Sequence, residues 1–236
     1  MKHIVFLTGA GISVESGLST FRGSDGLWNN HRIEDVCTVD AWHRSPQYVN
    51  SFYAELRQRL PQIQPNEAHR LVAEFEEHYR VTVVTQNVDD LHERAGSTNI
   101  IHLHGSLLKM CSSFRKEDES QWVTLTLDNL EVGADARATD GSLLRPYIVW
   151  FGEDVPRMEE AIDAAEQADL LVVVGTSLNV YPAANLVNFV KQGTPIVVID
   201  PEANKLICHK GVIQLAEKAT AGMEALKNLL KAGAIF

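Results

Sequence analysis

The groups able to do chemistry cluster where short apolar runs end. Residues 8–23 read T-G-A-G-I-S-V-E-S-G-L-S-T-F-R-G and follow the apolar run Ile4, Val5, Phe6, Leu7. Gly9 and Gly11 therefore sit where a strand gives way to a helix, and there backbone can turn tightly and bring unpaired N–H groups up to an anion such as a pyrophosphate. The spacing departs from the dinucleotide fingerprint, because the position for a third glycine holds Val14 and Gly17 comes too late. That disfavours a hydride-transferring dehydrogenase. The continuation through Phe21 and Arg22 sets an aromatic ring and a guanidinium on the same loop.

Later runs end in the same way: Gln86, Asn87 and Asp89 after one, His102 and His104 after the next, Gly175, Thr176 and Ser177 after a third, and Asp200 after the last. Ligands of an open parallel sheet bind at such carboxyl ends. Each group alone has a plainer reading; Asn87 to Asp90 would equally cap a following helix. Two histidines two apart share one face of a strand, but no third metal ligand stands at a recognisable spacing. A general base is the better reading for His104, and a hydrogen-bonded core histidine suits His102.

Elements must hold these groups. Residues 80–85, 99–103, 147–151, 169–175 and 195–200 read as strands, several of them continuously apolar, as strands covered on both faces are. Residues 156–168, 182–191 and 222–231 read as helices between or after them. The expected fold is a doubly wound, parallel, Rossmann-like α/β sheet made of residues 1–26, 80–104 and 146–236. A smaller lobe is built from two insertions, a helical one at 27–79 and a polar, turn-rich one at 105–145. Helical spacing appears at Val49, Phe52, Tyr53, Leu56 and Leu60, and again at Ala68, Leu71, Val72 and Phe75. Glu34 and Asp35 lie at about the distance of a ribose-binding acid but on no strand, so they take no such role.

The 236 residues carry a formal net charge of −10 with 45% hydrophobic content, which suits a soluble enzyme and argues against nucleic-acid or anionic-membrane partners. An acidic surface mildly suits Lys-rich peptides. Only Cys37, Cys111 and Cys208 are present, so no disulfide framework or complete zinc site can be written. With no signal peptide or apolar span before the first strand, a cytoplasmic protein is the default expectation. Oligomeric state is not legible.

Taken in order, G-A-G-I-S-x-x-S-G-x-x-T-F-R-G, T-Q-N-V-D-D-L-H, H-L-H-G, F-G-E and G-T-S-L-N-V-Y-P resemble the sirtuins, the NAD-dependent protein deacylases. The resemblance covers nearly the whole chain. It implies NAD as cofactor, with Gly9, Ala10, Gly11, Ile12 and Ser16 around the pyrophosphate and Phe21 and Arg22 on a mobile cofactor loop. Gln86 would touch the nicotinamide ribose, and Asn87 and Asp89 would line the nicotinamide pocket. Gly175, Thr176 and Ser177 would serve phosphate and ribose, Asp200 the ribose hydroxyls, and Ala219 the neighbourhood of the adenine. His104 would be the catalytic base. In the family's reaction the acyl-lysine oxygen attacks the ribose, nicotinamide leaves, and the base helps a ribose hydroxyl take the acyl group. Val149, Trp150, Phe151 and Gly152 would clamp the acylated-lysine substrate.

The resemblance is broken in two places. The family's small lobe usually carries four zinc-binding cysteines, whereas Cys111 stands alone between Gly105 and Arg145. Packing by Leu107, Leu108, Trp122, Val123, Leu125 and Leu127 is expected instead, with no metal. Members that take acidic acyl groups carry Tyr and Arg three apart, but here Tyr53 is followed at that spacing by Leu56, with Arg57 about 100° further around the helix. Removal of acetyl or a longer apolar acyl group is therefore expected, unless Arg57 reaches inward. NAD hydrolysis or mono-ADP-ribosyl transfer is the alternative activity, and a non-enzymatic NAD sensor a more distant one.

Overall fold

The computed structural model describes residues 1–19, 31–133, 135–205 and 211–236. In chain order the strands are β1 (His3–Thr8), β2 (Arg80–Thr85), β3 (Ile100–His102), β4 (Gly105–Ser112), β5 (Val123–Thr124), β6 (Leu144–Ile148), β7 (Leu170–Val174), β8 (Ile196–Ile199) and β9 (Val212–Leu215). The helices are α1 (Ile33–Val36), α2 (Val39–Arg44), α3 (Pro46–Arg59), α4 (Glu67–Glu74), α5 (Leu91–Ala95), α6 (Met158–Glu166) and α7 (Ala219–Lys231).

Six strands form one parallel sheet in the order β3-β2-β1-β7-β8-β9. β1 pairs with β2 on one side (Ile4 with Val81) and β7 on the other (Ile4 with Leu170). The chain thus builds outward from β1 in both directions, and the crevice at that switch point lies beyond the ends of β1, β2 and β7. Alternation explains why the strands are apolar throughout. Ile4 and Phe6 join Ala68, Leu71 and Val72 of α4 and Met223 and Leu226 of α7 on one face. Val5 and Leu7 join Ala161, Ala164 and Ala165 of α6 on the other.

β4, β5 and β6 make a separate antiparallel sheet in the order β5-β4-β6. Val49, Phe52 and Tyr53 of α3 pack with Leu107, Ile148 and Trp150, joining the helical insertion to this sheet. Met110, Leu125, Leu130, Ala138 and Leu144 form a second apolar centre within the segment after Gly105. Of the side chains expected to hold it, Leu107 and Leu125 are buried, Leu108 and Leu127 pack partly buried, and Trp122 lies 4.3 Å from the Tyr147 ring, whereas Val123 is exposed.

Several elements differ from the sequence reading. The run at 147–151 is no parallel strand: β6 ends at Ile148 and pairs antiparallel with β4, which supplies its buried neighbours. β4 itself was masked by the polar turns that follow it. β9 is only half-buried at the sheet edge and too short to show a period. Residues 182–191 give only a 3₁₀ turn, Ala183–Asn188. The α4 segment, read as part of the helical insertion, packs on the parallel sheet, because Leu71, Val72 and Phe75 need an apolar wall and Phe6 supplies one, its ring 5.9 Å from that of Phe75. No helix among the described residues is long and apolar enough to cross a membrane.

Candidate active site

The glycine loop does something other than open a long helix. After β1 the chain makes a 3₁₀ turn, Ala10–Ser16, closed by Gly17 in the left-handed region. The Gly9 N–H donates to the Val174 carbonyl (3.0 Å) and the Gly11 N–H to the Gly175 carbonyl (2.8 Å). A Cβ on Gly11 would lie 2.5 Å from Gly175 Cα, and one on Gly9 would lie 2.7 Å from Thr176 Cβ. The glycines therefore let two loops touch backbone to backbone at the switch point, which corrects the picture of both N–H groups waiting unpaired for an anion. The Ser16 hydroxyl, by contrast, is sealed from solvent with no partner among the described residues. Such a buried orphan costs stability until a ligand or water meets it.

Polar side chains from three strand ends meet here. Gln86 Nε2 donates to Thr176 Oγ1 (3.0 Å), joining the ends of β2 and β7. Asn87 Nδ2 donates to the Gly9 carbonyl (3.2 Å) and to Ser13 Oγ (3.1 Å). Asp89 accepts from Ser13 Oγ (3.1 Å) and from the Leu91 N–H (3.1 Å). Burial dominates its titration and lifts the carboxyl to about 6, with the two hydrogen bonds opposing.

His104 lies in the turn between β3 and β4 rather than on a strand, so it does not share a face with His102. Its Nδ1 is 3.1 Å from the Gln86 carbonyl, which can only accept, so the proton sits on Nδ1 and Nε2 keeps a lone pair. Burial pushes its pKa down. A neutral imidazole with a fixed tautomer is what a general base requires. His102 has acceptors on both nitrogens, the Asn87 carbonyl at 3.1 Å and Glu93 Oε1 at 2.7 Å, and Glu93 raises its pKa against the effect of burial.

The segment after β6 is tied to the same turn: the Val149 N–H donates to the His104 carbonyl (3.0 Å) and the Phe151 N–H to the Cys37 carbonyl (2.9 Å). Trp150 N–H donates to Glu153, whose carboxylate also takes both terminal nitrogens of Arg145 at 2.7 and 3.0 Å. Arg145 stacks 3.4 Å from the centre of the Trp150 ring. Gly152 occupies the left-handed region, φ +95°.

Other expected residues lie elsewhere or are engaged. Tyr53 is buried, and its hydroxyl meets Trp150 Nε1 (3.1 Å) and Cys37 Sγ (3.0 Å). Arg57 does not reach inward toward a channel. It is buried, with Nε on the Leu107 carbonyl (2.7 Å) and one terminal nitrogen 3.0 Å from Met110 Sδ, and desolvation lowers its pKa to about 10. Asp200 is half-buried, which raises its carboxyl, and accepts from the Glu202 N–H at 2.9 Å. Ala219 is buried in the apolar cluster of the sheet, while Ser177 is exposed. Phe21, Arg22 and Cys208 lie outside the described residues.

Sequence reasoning missed the support beneath Asn87 and Asp89. Asn66 caps α4 by accepting from the Ala68 N–H and donates to the Ile12 carbonyl (2.7 Å), which fixes its amide. His69 Nδ1 then donates to Asn66 Oδ1 (3.1 Å), and Nε2 lies 3.4 Å from Ser13 Oγ. Burial lowers the His69 pKa to about 4. A histidine on the apolar stripe of Ala68, Leu71 and Val72, three residues after an N-cap, was the available signal. Cys111 is buried, its thiol pushed up to about 12 by desolvation, and no three His, Cys, Asp or Glu side chains converge as a metal site among the described residues.

A doubly wound sheet with a glycine turn, paired carboxamides, a buried carboxyl and a neutral histidine at its switch point defines a nucleotide-dependent enzyme. Comparison with known proteins narrows that class. The Sir2 family profile matches residues 9–182, and the chain belongs to the Sir2 family. It is 47% identical over 230 residues to an NAD-dependent protein deacylase of Bacteroides thetaiotaomicron, covering 98% of each chain. A Helicobacter pylori protein of the same description is 47% identical over 226 residues, 96% of each chain. Among solved structures, a Sir2 homolog–NAD complex is 40% identical with a TM-score of 0.85, over 98% of this chain and 90% of that one. A Sir2 protein with a deacetylated p53 peptide and 3′-O-acetyl ADP-ribose is 31% identical with a TM-score of 0.76, over 99% and 94% of the two chains.

Proposed function

We infer that the protein is an NAD-dependent protein deacylase that transfers acyl groups from lysine to ADP-ribose. The observation that carries this reading is the meeting of His104, Gln86 and Thr176 with Asn87 and Asp89 around the Gly9–Gly11 turn. NAD, when bound, supplies a ribose whose bond to nicotinamide is already polarised for cleavage. The residues present fit it. Ala10, Gly11, Ile12, Gly175, Thr176 and Ser177 form the floor for its phosphates and ribose, and the partnerless Ser16 hydroxyl gains an acceptor there. Asp200 is placed for ribose hydroxyls, Asn87 and Asp89 for the carboxamide.

His104 Nε2 takes the proton of a ribose hydroxyl as that oxygen attacks the acyl carbon; the Gln86 carbonyl holds the imidazole in the tautomer that can do so and stabilises the imidazolium formed. Val149, Trp150, Phe151 and Gly152 wall the acyl-lysine channel. Their first three N–H groups are already bonded within the chain, so the wall is fixed before substrate arrives.

Neutral acyl groups, acetyl first, fit the site best. The Arg57 guanidinium is held by β4, and Leu56 packs in the apolar cluster with Val88 and Trp150, so neither position offers a cation to a terminal carboxylate. The small lobe works without zinc, since Cys111 is buried and alone in its segment. Core and lobe act as one catalytic unit.

The test is turnover of an acetyl-lysine peptide with NAD, read as nicotinamide and O-acyl-ADP-ribose. Nicotinamide release at the same rate without peptide would instead identify an NAD hydrolase.

A further inference from the structure

A cavity of about 460 Å³ opens behind the catalytic turn and takes no part in the chemistry above. It is lined by Glu93, His102, Gly105, Ser106, Lys109, Glu119, Trp122, Tyr147, Arg157 and Glu160. None of these is assigned to NAD or to the acyl-lysine channel. The size lies within the range of small-molecule sites. Its walls are anchored: Trp122 Nε1 donates to the Lys116 carbonyl (2.7 Å), the Tyr147 hydroxyl to Glu117 (3.0 Å), and Asp118 caps the 3₁₀ turn Glu119–Gln121.

Its charges sort into closed pairs and two remainders. His102 faces acceptors with both nitrogens, so it stands as an imidazolium closed on Glu93 at 2.7 Å. Arg157 is closed on Glu160 by two bonds of 2.8 and 2.7 Å and also donates to the Ile100 carbonyl. That leaves Lys109, whose ammonium lies 4.7 Å from the centre of the Trp122 ring, and Glu119. Neither forms an ion pair within 4 Å among the described residues, although Lys109 is near enough to the Glu93 carboxylate to help lower its pKa. The cavity thus offers one uncommitted cation and one uncommitted anion, with no net charge and two aromatic rings in its wall. A ligand of single charge meets a like charge as well as an opposite one, whereas a zwitterion meets both favourably.

We propose that this cavity is a second binding site, for a zwitterionic molecule of amino-acid to dipeptide size, with the ligand carboxylate on Lys109 and its ammonium on Glu119. Trp122 and Tyr147 supply the apolar wall. Because His102 and Gly105 flank His104, an occupant also touches the turn that carries the base.

The test is calorimetric titration of the NAD-saturated chain with glycyl-L-phenylalanine, beside two congeners with one terminus blocked, N-acetyl-glycyl-L-phenylalanine and glycyl-L-phenylalaninamide. The dipeptide should saturate with a Kd near 1 mM, and each blocked congener should bind about tenfold more weakly, the value of one charge-assisted contact. Lys109→Met and Glu119→Gln should each weaken the dipeptide to a similar extent while the NAD affinity is unchanged. No saturation by the dipeptide, equal binding of either congener, or unchanged affinity in both variants would overturn the proposal. NAD binding is read separately, so a failure of the deacylase reading shows as lost NAD affinity and not as lost dipeptide binding.

Discussion

The Ser13 hydroxyl lies 3.1 Å from Asp89 Oδ2 and 3.4 Å from His69 Nε2, and it has one proton for two buried acceptors. Asn66 fixes the His69 tautomer, so Nε2 can only accept. When Asp89 is ionised the proton belongs to Asp89; when Asp89 is protonated, it can donate to Ser13 and Ser13 to His69. The charge state of Asp89 and the direction of this chain of hydrogen bonds change together.

A first expectation concerns pH. An acid harder to ionise in the folded chain than in the unfolded one favours the fold only while protonated. For Asp89 that contribution is complete below pH ~4 and is lost as pH rises through about 6. Asp89→Asn should therefore leave thermal stability near pH 4 unchanged and raise it at pH 8 by about 3 kcal/mol, while deacylation is lost. Melting curves at the two pH values check this.

Ser13→Ala removes a hydrogen bond that opposes the rise of the Asp89 pKa. The acid limb of kcat/KM should move upward by roughly half to one pH unit, since one such bond contributes about 1 kcal/mol. A limb that stays in place would separate Asp89 from the rate.

At the switch point, Gly175 has φ +61° and its backbone touches that of Gly11. Gly175→Ala should cost roughly 3 kcal/mol and abolish NAD binding, since strain and overlap add. Gly141→Ala is the control. Its φ is +83° but nothing lies near its Cβ, so only about 1 kcal/mol is expected. Unfolding midpoints and NAD titration report both.

Much of this was legible in the sequence, for reasons that differ by element. β1, β2, β7 and β8 announce themselves because covered parallel strands must be apolar on both sides, and Gln86, Asn87, His104 and Thr176 follow from the rule that ligands sit at their carboxyl ends. β4 and β6 were obscured because antiparallel pairing depends on a distant partner that no local period reveals. The Ser13–His69–Asn66 support was hidden for the same reason: its members come from the 3₁₀ turn after β1 and the N-terminal end of α4, 56 residues apart from Ser13 to His69. Arg57 shows the limit of helical-wheel reasoning, since its angle on α3 was readable but the β4 carbonyl that captures it was not.

Glu153 is the further residue that the F-G-E motif contains but no role had claimed. Glu153→Gln leaves the buried Arg145 guanidinium without a full counter-charge, at a cost of about 3 kcal/mol. Because the Trp150 N–H loses its carboxylate partner, KM for peptide should rise more than KM for NAD. Steady-state kinetics with each substrate varied decides it.

For acyl choice, acetyl-lysine should be preferred over succinyl-lysine by more than about tenfold, because the Arg57 guanidinium is held on the Leu107 carbonyl and cannot meet the second carboxylate. Leu56→Arg, three residues from Tyr53, should narrow that ratio, whereas Arg57→Ala should lower stability and leave the ratio unchanged. An acyl-peptide panel read by mass spectrometry distinguishes the outcomes.

We propose His104 as the base in a cleft that seats NAD beside acyl-lysine. The most direct measurement is deacylation of an acetyl-lysine peptide by His104→Ala, with NAD affinity titrated on the same preparation. The account predicts product formation down by at least about a hundredfold with NAD affinity within a few-fold of the parent; full turnover in the variant would contradict it.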